Sequence, residues 1–121
     1  MTSVRAAVGG YGERVAVRLL AARGMVVLDR NWRDGRRGEL DIVARDGDTL
    51  VFCEVKTRRG TAFGTPAAAV TPAKMRRLRQ LAAAWLAAHP GTGGADLRFD
   101  VVAVCPQRSG PALTEHLRGV G

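Results

Sequence analysis

Two carboxylates and one amine stand at a spacing that could work on a phosphodiester. Asp41 is followed, after twelve intervening residues, by Glu54-Val55-Lys56. Two acids held close repel each other when bare, and a hard divalent cation relieves the repulsion. Mg²⁺ takes one or two carboxylates and keeps its other positions for water and phosphate oxygens. Such an ion polarises a phosphate and lowers the pKa of a bound water. Lys56 could orient that water, accept its proton or stabilise developing negative charge. Residue type adds weight here: of nineteen basic residues, only Lys56 and Lys74 are lysines and the other seventeen are arginines. Arginine is permanently charged, whereas the proton of a lysine can be tuned. The plainer account is chance, since two lysines are a small sample and a lone Glu-x-Lys is usually a solvated strand face.

Glu13 is a further member of the set. Ala16, Val17 and Leu20 follow it at helical spacing, so Glu13 falls on the apolar side of a helix. A carboxylate there is costly unless it is paired or ligating. Its alternative role is that of a helix-start acid favoured by the helix dipole. Gly9, Gly10 and Gly12 would leave the backbone before it open to close approach. Asp100, inside Arg98-Phe99-Asp100-Val101-Val102, reads as a structural or outer-shell acid. His89 and His116 have no partners at useful spacing and read as surface residues, and no Cys/His cluster has zinc spacing.

The elements that must position these groups can be read from periodicity and punctuation. Apolar residues at helical spacing place a helix over residues 12–23, stopped by Gly24. A strand follows over 25–32, then a turn over 34–38. Strands over 39–45 and 49–57 flank Asp46-Gly47-Asp48, a strong hairpin signal. The loop over 58–70 is long enough to carry function. Thr71 is an N-cap and Pro72 the first residue of a helix reaching about Ala88, with Met75, Leu78, Leu81, Ala82, Trp85 and Leu86 inward. A Val-rich strand covers 97–105, and the tail over 106–121 adds a short strand near Leu113 to Leu117. The order α-β-β-β-α-β makes an α/β protein with a mixed central sheet flanked by helices, one domain over 1–121 with its core at about 9–105.

Strand alternation places Asp41 with Glu39 and Val43, and Glu54 with Phe52 and Lys56. A two-residue turn at Asp46-Gly47 pairs position 41 with 52, and a four-residue turn from Asp46 to Thr49 pairs 41 with 54. Either brings Asp41 and Glu54 to one face within ~8 Å between Cα atoms. A three-residue loop would break that parity.

Composition sets the partner class. A net charge of +8 and a pI near 11.2 point to a polyanion, nucleic acid first. Lys74 and Arg77, with Arg76 and Arg79, lie along the outward side of the second helix, while Arg58 and Arg59 follow Lys56 directly. All of them could meet backbone phosphates. No apolar run reaches the ~18–20 residues of a membrane span, and the N-terminus lacks a secretory h-region. Cys53 and Cys105 both sit in apolar runs, which fits reduced thiols and a cytoplasmic protein.

Gly12-Glu13, Asn31-Trp32-Arg33, Gly38-Glu39-Leu40-Asp41-Ile42-Val43, Val51-Phe52-Cys53-Glu54-Val55-Lys56-Thr57-Arg58, Lys74 and Arg98 to Val102 together resemble the YraN-like family of small bacterial proteins. The likeness runs over residues 9–104. That family is similar to the archaeal Holliday-junction resolvases and to the wider restriction-endonuclease-like nucleases with a P-D…(D/E)-x-K motif. The resemblance implies a restriction-endonuclease-like fold and a Mg²⁺ (or Mn²⁺) cofactor. It makes Asp41 and Glu54 metal-binding acids, Lys56 the catalytic lysine and Glu13 the helical acid of resolvase-type members. It also implies a homodimer. Leu40 stands where the wider motif often has Pro, and Glu39 is an extra acid beside it.

The expectation is therefore a metal-dependent endonuclease acting on DNA, with branched and flapped forms among its substrates. The alternative is a non-catalytic nucleic-acid-binding module on the same fold. A third is an accessory protein that docks a partner on the Arg-rich helix.

Overall fold

The computed structural model describes residues 4–35, 37–58, 68, 70–92 and 96–121, with side chains of the first helix described from residue 10. Among the described residues seven elements follow one another: α1 (Val4–Ala22), β1 (Val26–Arg33), β2 (Glu39–Asp46), β3 (Thr49–Thr57), α2 (Pro72–Ala88), β4 (Asp96–Cys105) and β5 (Leu113–Leu117). The strands form one mixed sheet in the order β1-β2-β3-β4-β5. Only β3 and β4 run parallel, joined by the crossover that contains α2. No helix among the described residues is long and apolar enough to cross a membrane. The long loop expected over 58–70, and Arg59 with it, lies almost wholly outside the described residues.

Each helix covers one face. Ala16 and Leu20 of α1 pack with Ile42, Ala44, Val51, Cys53, Val102 and Val104. Met75, Leu78, Leu81, Ala82 and Trp85 of α2 pack with Leu40, Val43, Leu50 and Phe52. The second helix starts as its sequence dictates. The Thr71 hydroxyl accepts the Lys74 N–H at 3.1 Å, and Pro72 follows at the first position, where no donor is needed. Trp85 meets Phe52 edge to face at 6.0 Å between ring centroids, and its indole N–H donates to Asp29 at 2.9 Å.

The first helix begins eight residues earlier than its sequence predicts. Gly9 and Gly10, which the sequence reading leaves ahead of the helix, lie inside α1 with Gly12. Gly12 has a packing reason to be glycine. A Cβ there would fall 1.8 Å from Thr57 Oγ1 and 3.0 Å from Thr57 Cβ. The close approach anticipated for these glycines is met at Gly12, within the helix, where α1 crosses the end of β3. Glu13 consequently occupies the middle of α1, which removes its reading as a helix-start acid.

A buried charge network ties the far end of the sheet together. Asp100 is fully buried and accepts from Arg98 Nε and Nη2 at 2.9 and 3.1 Å, from His116 Nε2 at 2.8 Å and from the Gly119 N–H at 3.0 Å. Arg98 also reaches Asp46, which Arg118 joins at 3.0 Å. His116 is not the surface residue its sequence context implies, because its side chain is completely enclosed. Its Nδ1 lies 2.7 Å from Arg23 Nη1. A guanidinium can only donate, so Nδ1 accepts and the ring proton sits on Nε2, facing Asp100. His89 is half-buried as well, stacked on Trp85 and bonded to the Trp85 carbonyl at the end of α2.

Two expectations follow. Gly12→Ala should destabilise the protein by about 1–3 kcal/mol in a denaturant titration, because α1 must move off β3. Adding Thr57→Ala should recover part of that loss, and a neutral Gly12→Ala would show the contact to be slack. Burial pushes the Asp100 carboxyl up, but the bonds from Arg98, Gly119 and His116 together hold it below its ordinary value. Its folded pKa is thus lower than its unfolded one, so the stabilisation is full above about pH 4 and fades as pH falls through the folded value. Asp100→Asn should cost about 3 kcal/mol at pH 7 by removing the buried carboxylate that Arg98, His116 and the Gly119 N–H share. The gap to the wild type should narrow below pH 4; coincident midpoints at pH 7 would contradict the account.

Candidate functional site

The site lies where two strands stop pairing. The β2–β3 ladder runs from Asp46↔Thr49 to Ile42↔Cys53. Gly47 and Asp48 make the turn, with Gly47 at φ +60, so it is a two-residue turn one position later than Asp46-Gly47. The register is the one that sets Asp41 against Glu54. Beyond Cys53 the strands part: β2 goes on beside β1 to Glu39, and β3 goes on beside β4 to Thr57. Asp41 bridges this fork with its side chain, its Oδ2 accepting the Val55 N–H at 2.8 Å.

Strict alternation fails at the fork. Leu40 and Ile42 are two residues apart, yet Leu40 packs under α2 and Ile42 under α1. β2 therefore turns its faces over at Asp41. Val43 belongs to the α2 core, so it does not share a side with Glu39 and Asp41 as parity predicts. One oxygen from each of Glu13, Glu39 and Asp41 lies within 4.8 Å of the others. Glu54 lies outside that trio. It follows Phe52 on the α2 side, where its Oε1 meets Lys74 Nζ at 3.0 Å and Lys56 Nζ at 3.8 Å.

The site thus has an acidic half against α1 and a lysine half against α2, joined through Asp41. Lys74 does not lie along the outward side of its helix; it is half-buried and turned to Glu54, while Arg76, Arg77 and Arg79 are exposed. The Arg77 guanidinium lies over Gly38, whose Cβ would come within 3.0 Å of it and whose φ is +118. Arg58 is half-buried, with its N–H on the Val104 carbonyl.

Electrostatics follow from this crowding. The Asp41 carboxyl is pushed up to about 6, first by burial and then by Glu54, Glu13 and Glu39, against the pull of the Val55 N–H. Burial also raises Glu13; Glu39 adds to the rise, while a hydrogen bond from Asn31 and the charge of Arg30 oppose it. Lys56 is lowered, mainly by burial and then by Lys74, with Glu54 and Asp41 pulling the other way. Cys53 is buried with its thiol pushed up by burial and by Asp100, so it offers no thiolate, and neither Cys53 nor Cys105 is in a disulfide.

Two features escape sequence reasoning, the roles of Asn31 and Lys74, and a third, Glu39, is legible only as an extra acid beside Asp41. Glu39 joins Glu13 and Asp41 and also pairs with Arg33 at 3.3 Å. Asn31 stands between the pairs Arg30↔Ile42 and Trp32↔Leu40, hence opposite Asp41, with φ +53. Asparagine tolerates that left-handed backbone better than most residues, and here its side chain bonds to Glu13. An Asn in the middle of a strand pattern was the available signal. The inward turn of Lys74 had none beyond the rarity of lysine.

A divalent cation suits the acidic trio chemically. The donors are hard carboxylate oxygens close enough to share one ion, and their mutual repulsion is what such an ion relieves.

A small α/β chain with an acid cluster at a forked mixed sheet is the class defined so far. The sequence profile described as "Uncharacterised protein family UPF0102" matches residues 12–104, and the chain belongs to that family. A UPF0102 protein of Kineococcus radiotolerans is 61% identical, with 99% of each chain covered. One from Beutenbergia cavernae is 60% identical over 95% of this chain and 96% of its own. Another, from Streptomyces coelicolor, is 58% identical over 98% of this chain and 91% of its own.

Asp41→Asn should stabilise the metal-free protein. An acid whose folded pKa is raised costs stability above that value and none below the unfolded one. The rise from 3.8 to about 6 corresponds to at most about 3 kcal/mol, and the amide oxygen still accepts the Val55 N–H. The thermal midpoint of Asp41→Asn in chelator at pH 7 should exceed that of the wild type, with the gain lost as pH falls from about 6 toward 4. A lower midpoint at pH 7 would refute the strain assigned to Asp41.

Proposed function

We propose that this protein is a metal-dependent endonuclease acting on DNA, of restriction-endonuclease-like architecture, with Asp41 at the centre of its site. The observation that carries the reading is the fork itself: Asp41, with Glu13 and Glu39, on one side, and Glu54 with Lys56 on the other. Asp41 and Glu13 would hold Mg²⁺ or Mn²⁺, with Glu39 beside them and Glu54 across the fork on β3. Bound there, the cation would polarise the scissile phosphate and make a water more acidic. Lys56 stands across Glu54 with a proton affinity below the usual for lysine, suited to orienting or deprotonating the attacking water at its Nζ. Asn31 steadies Glu13 from the facing strand. The net charge of +8 and the exposed Arg76, Arg77 and Arg79 favour a phosphate backbone as the partner.

The same charge supports a second reading, a nucleic-acid-binding module without chemistry. One experiment separates them. Purified protein is incubated with linear, flapped and four-way DNA in Mg²⁺ or Mn²⁺, beside Asp41→Ala and Lys56→Ala. The nuclease reading expects wild-type cleavage, a loss of at least ~100-fold in each variant and DNA binding retained in both. Full cleavage by either variant would sink it. Binding with no cleavage of any substrate by the wild type would leave the binding module.

A further inference from the structure

Lys56 and Lys74 are the chain's two lysines, and the fold brings both to one oxygen atom, Glu54 Oε1. They come from unrelated elements, Lys56 from β3 and Lys74 from the first turn of α2. Every other basic residue is Arg. A guanidinium is a broad planar fork, whereas an ammonium is a compact point of charge, so two ammoniums can share one carboxylate oxygen where two guanidiniums would crowd.

The backbone that delivers Lys74 is held firmly. Its N–H is bonded to the Thr71 cap, and the next residue, Met75, is buried in the α2 core. Lys74 makes the shorter contact with Glu54 and Lys56 the longer one. Lys74 is therefore the lysine within hydrogen-bond reach of the carboxylate, and Lys56 stands beyond that reach of the same oxygen.

We infer that Lys74 is a positioning residue of this site: it fixes the Glu54 carboxylate from α2 and thereby sets where the Lys56 ammonium stands. Its kinetic consequence rests on the nuclease reading, whereas its geometric content does not. α2 becomes part of the site's frame, and its remaining basic residues are left to the surface.

The small number of lysines makes the test direct. The full chain labelled with ¹³C-lysine should give two ε-methylene signals. Glu54→Gln should move both of them, and Lys74→Met should move the remaining Lys56 signal, with the thermal midpoint checked in each variant. In cleavage assays Lys74→Met should lower kcat on the order of 10–100-fold, the size of effect expected from a misplaced catalytic group. KM should stay unchanged, and Lys74→Arg should recover part of kcat by restoring the charge. A Lys56 signal that stays in place in both Lys74→Met and Lys74→Arg would overturn the inference, as would a wild-type kcat in Lys74→Met. If the wild type cleaves nothing, the nuclease reading falls, and the lysine signals still decide whether Lys74 holds Glu54 and Lys56.

Discussion

One hydrogen bond organises this molecule, the one that the Val55 N–H gives to the Asp41 carboxylate. It joins two strands that have ceased to pair. Had the β2–β3 ladder continued past Ile42↔Cys53, backbone groups would have satisfied Val55, and Asp41 would be one more alternating side chain. Instead the strands part, β2 turns over, and a carboxylate takes the place of a backbone carbonyl. That substitution draws Asp41 into a half-buried gap and leaves Glu54 on the far side of it. The opening is flanked by both helices, so α1 can bring Glu13 to one side and α2 can bring Lys74 to the other.

Charge is sorted across that gap. Three acids crowd the α1 side, where Glu13 and Glu39 help to raise Asp41 and Glu39 helps to raise Glu13, with Arg33 and Arg30 acting from the solvent edge. On the α2 side one acid faces two lysines. Acidic and basic groups in equal mixture would have formed ordinary ion pairs and spent their charge on each other. Kept apart, the acids retain an unbalanced field that favours a cation, and the lysines one that favours an anion. A phosphate with its metal ion carries both signs at once, which is why the proposed chemistry suits this arrangement better than either half alone would.

Much of this was legible from residues alone, and the failures share a cause. Strands, the Gly47 turn, the capped second helix and the tail strand all announce themselves through local periodicity and turn chemistry. Asp41, Glu54 and Lys56 stand out by spacing. What could not be read was set by contacts between elements. Gly12 announces only a place where another group could come close, and the nearness of Thr57 shows it to be a crossing point. Lys74 looks like one of several outward cations until Glu54 is placed beneath it. His116 has no sequence neighbour of interest, yet Arg23 and Asp100 converge on it from the turn after α1 and from β4. The parity argument went wrong at Leu40 because alternation is a property of a continuous strand, and β2 is not continuous in that sense at Asp41.

Asp41 and Asp100 make the sharpest internal comparison. Both are acids on strands of the same sheet, and burial raises the carboxyl of each. Asp100 meets an arginine, a histidine and a backbone N–H, and ends below its ordinary value. Asp41 meets a single N–H and three other acids, and ends well above it. A fold that can complete an ion pair at Asp100 had the means to do so at Asp41, since Arg30 and Arg33 are one strand away. Those arginines point their charge at Glu13 and Glu39 from the rim instead. An acid left uncompensated in that way costs stability, and the network at Asp100 is the kind of contact that offsets it. The expense has a physical rationale if Asp41 exchanges its repulsion for a cation when it works, which is the interaction a structural acid such as Asp100 has no capacity left to make.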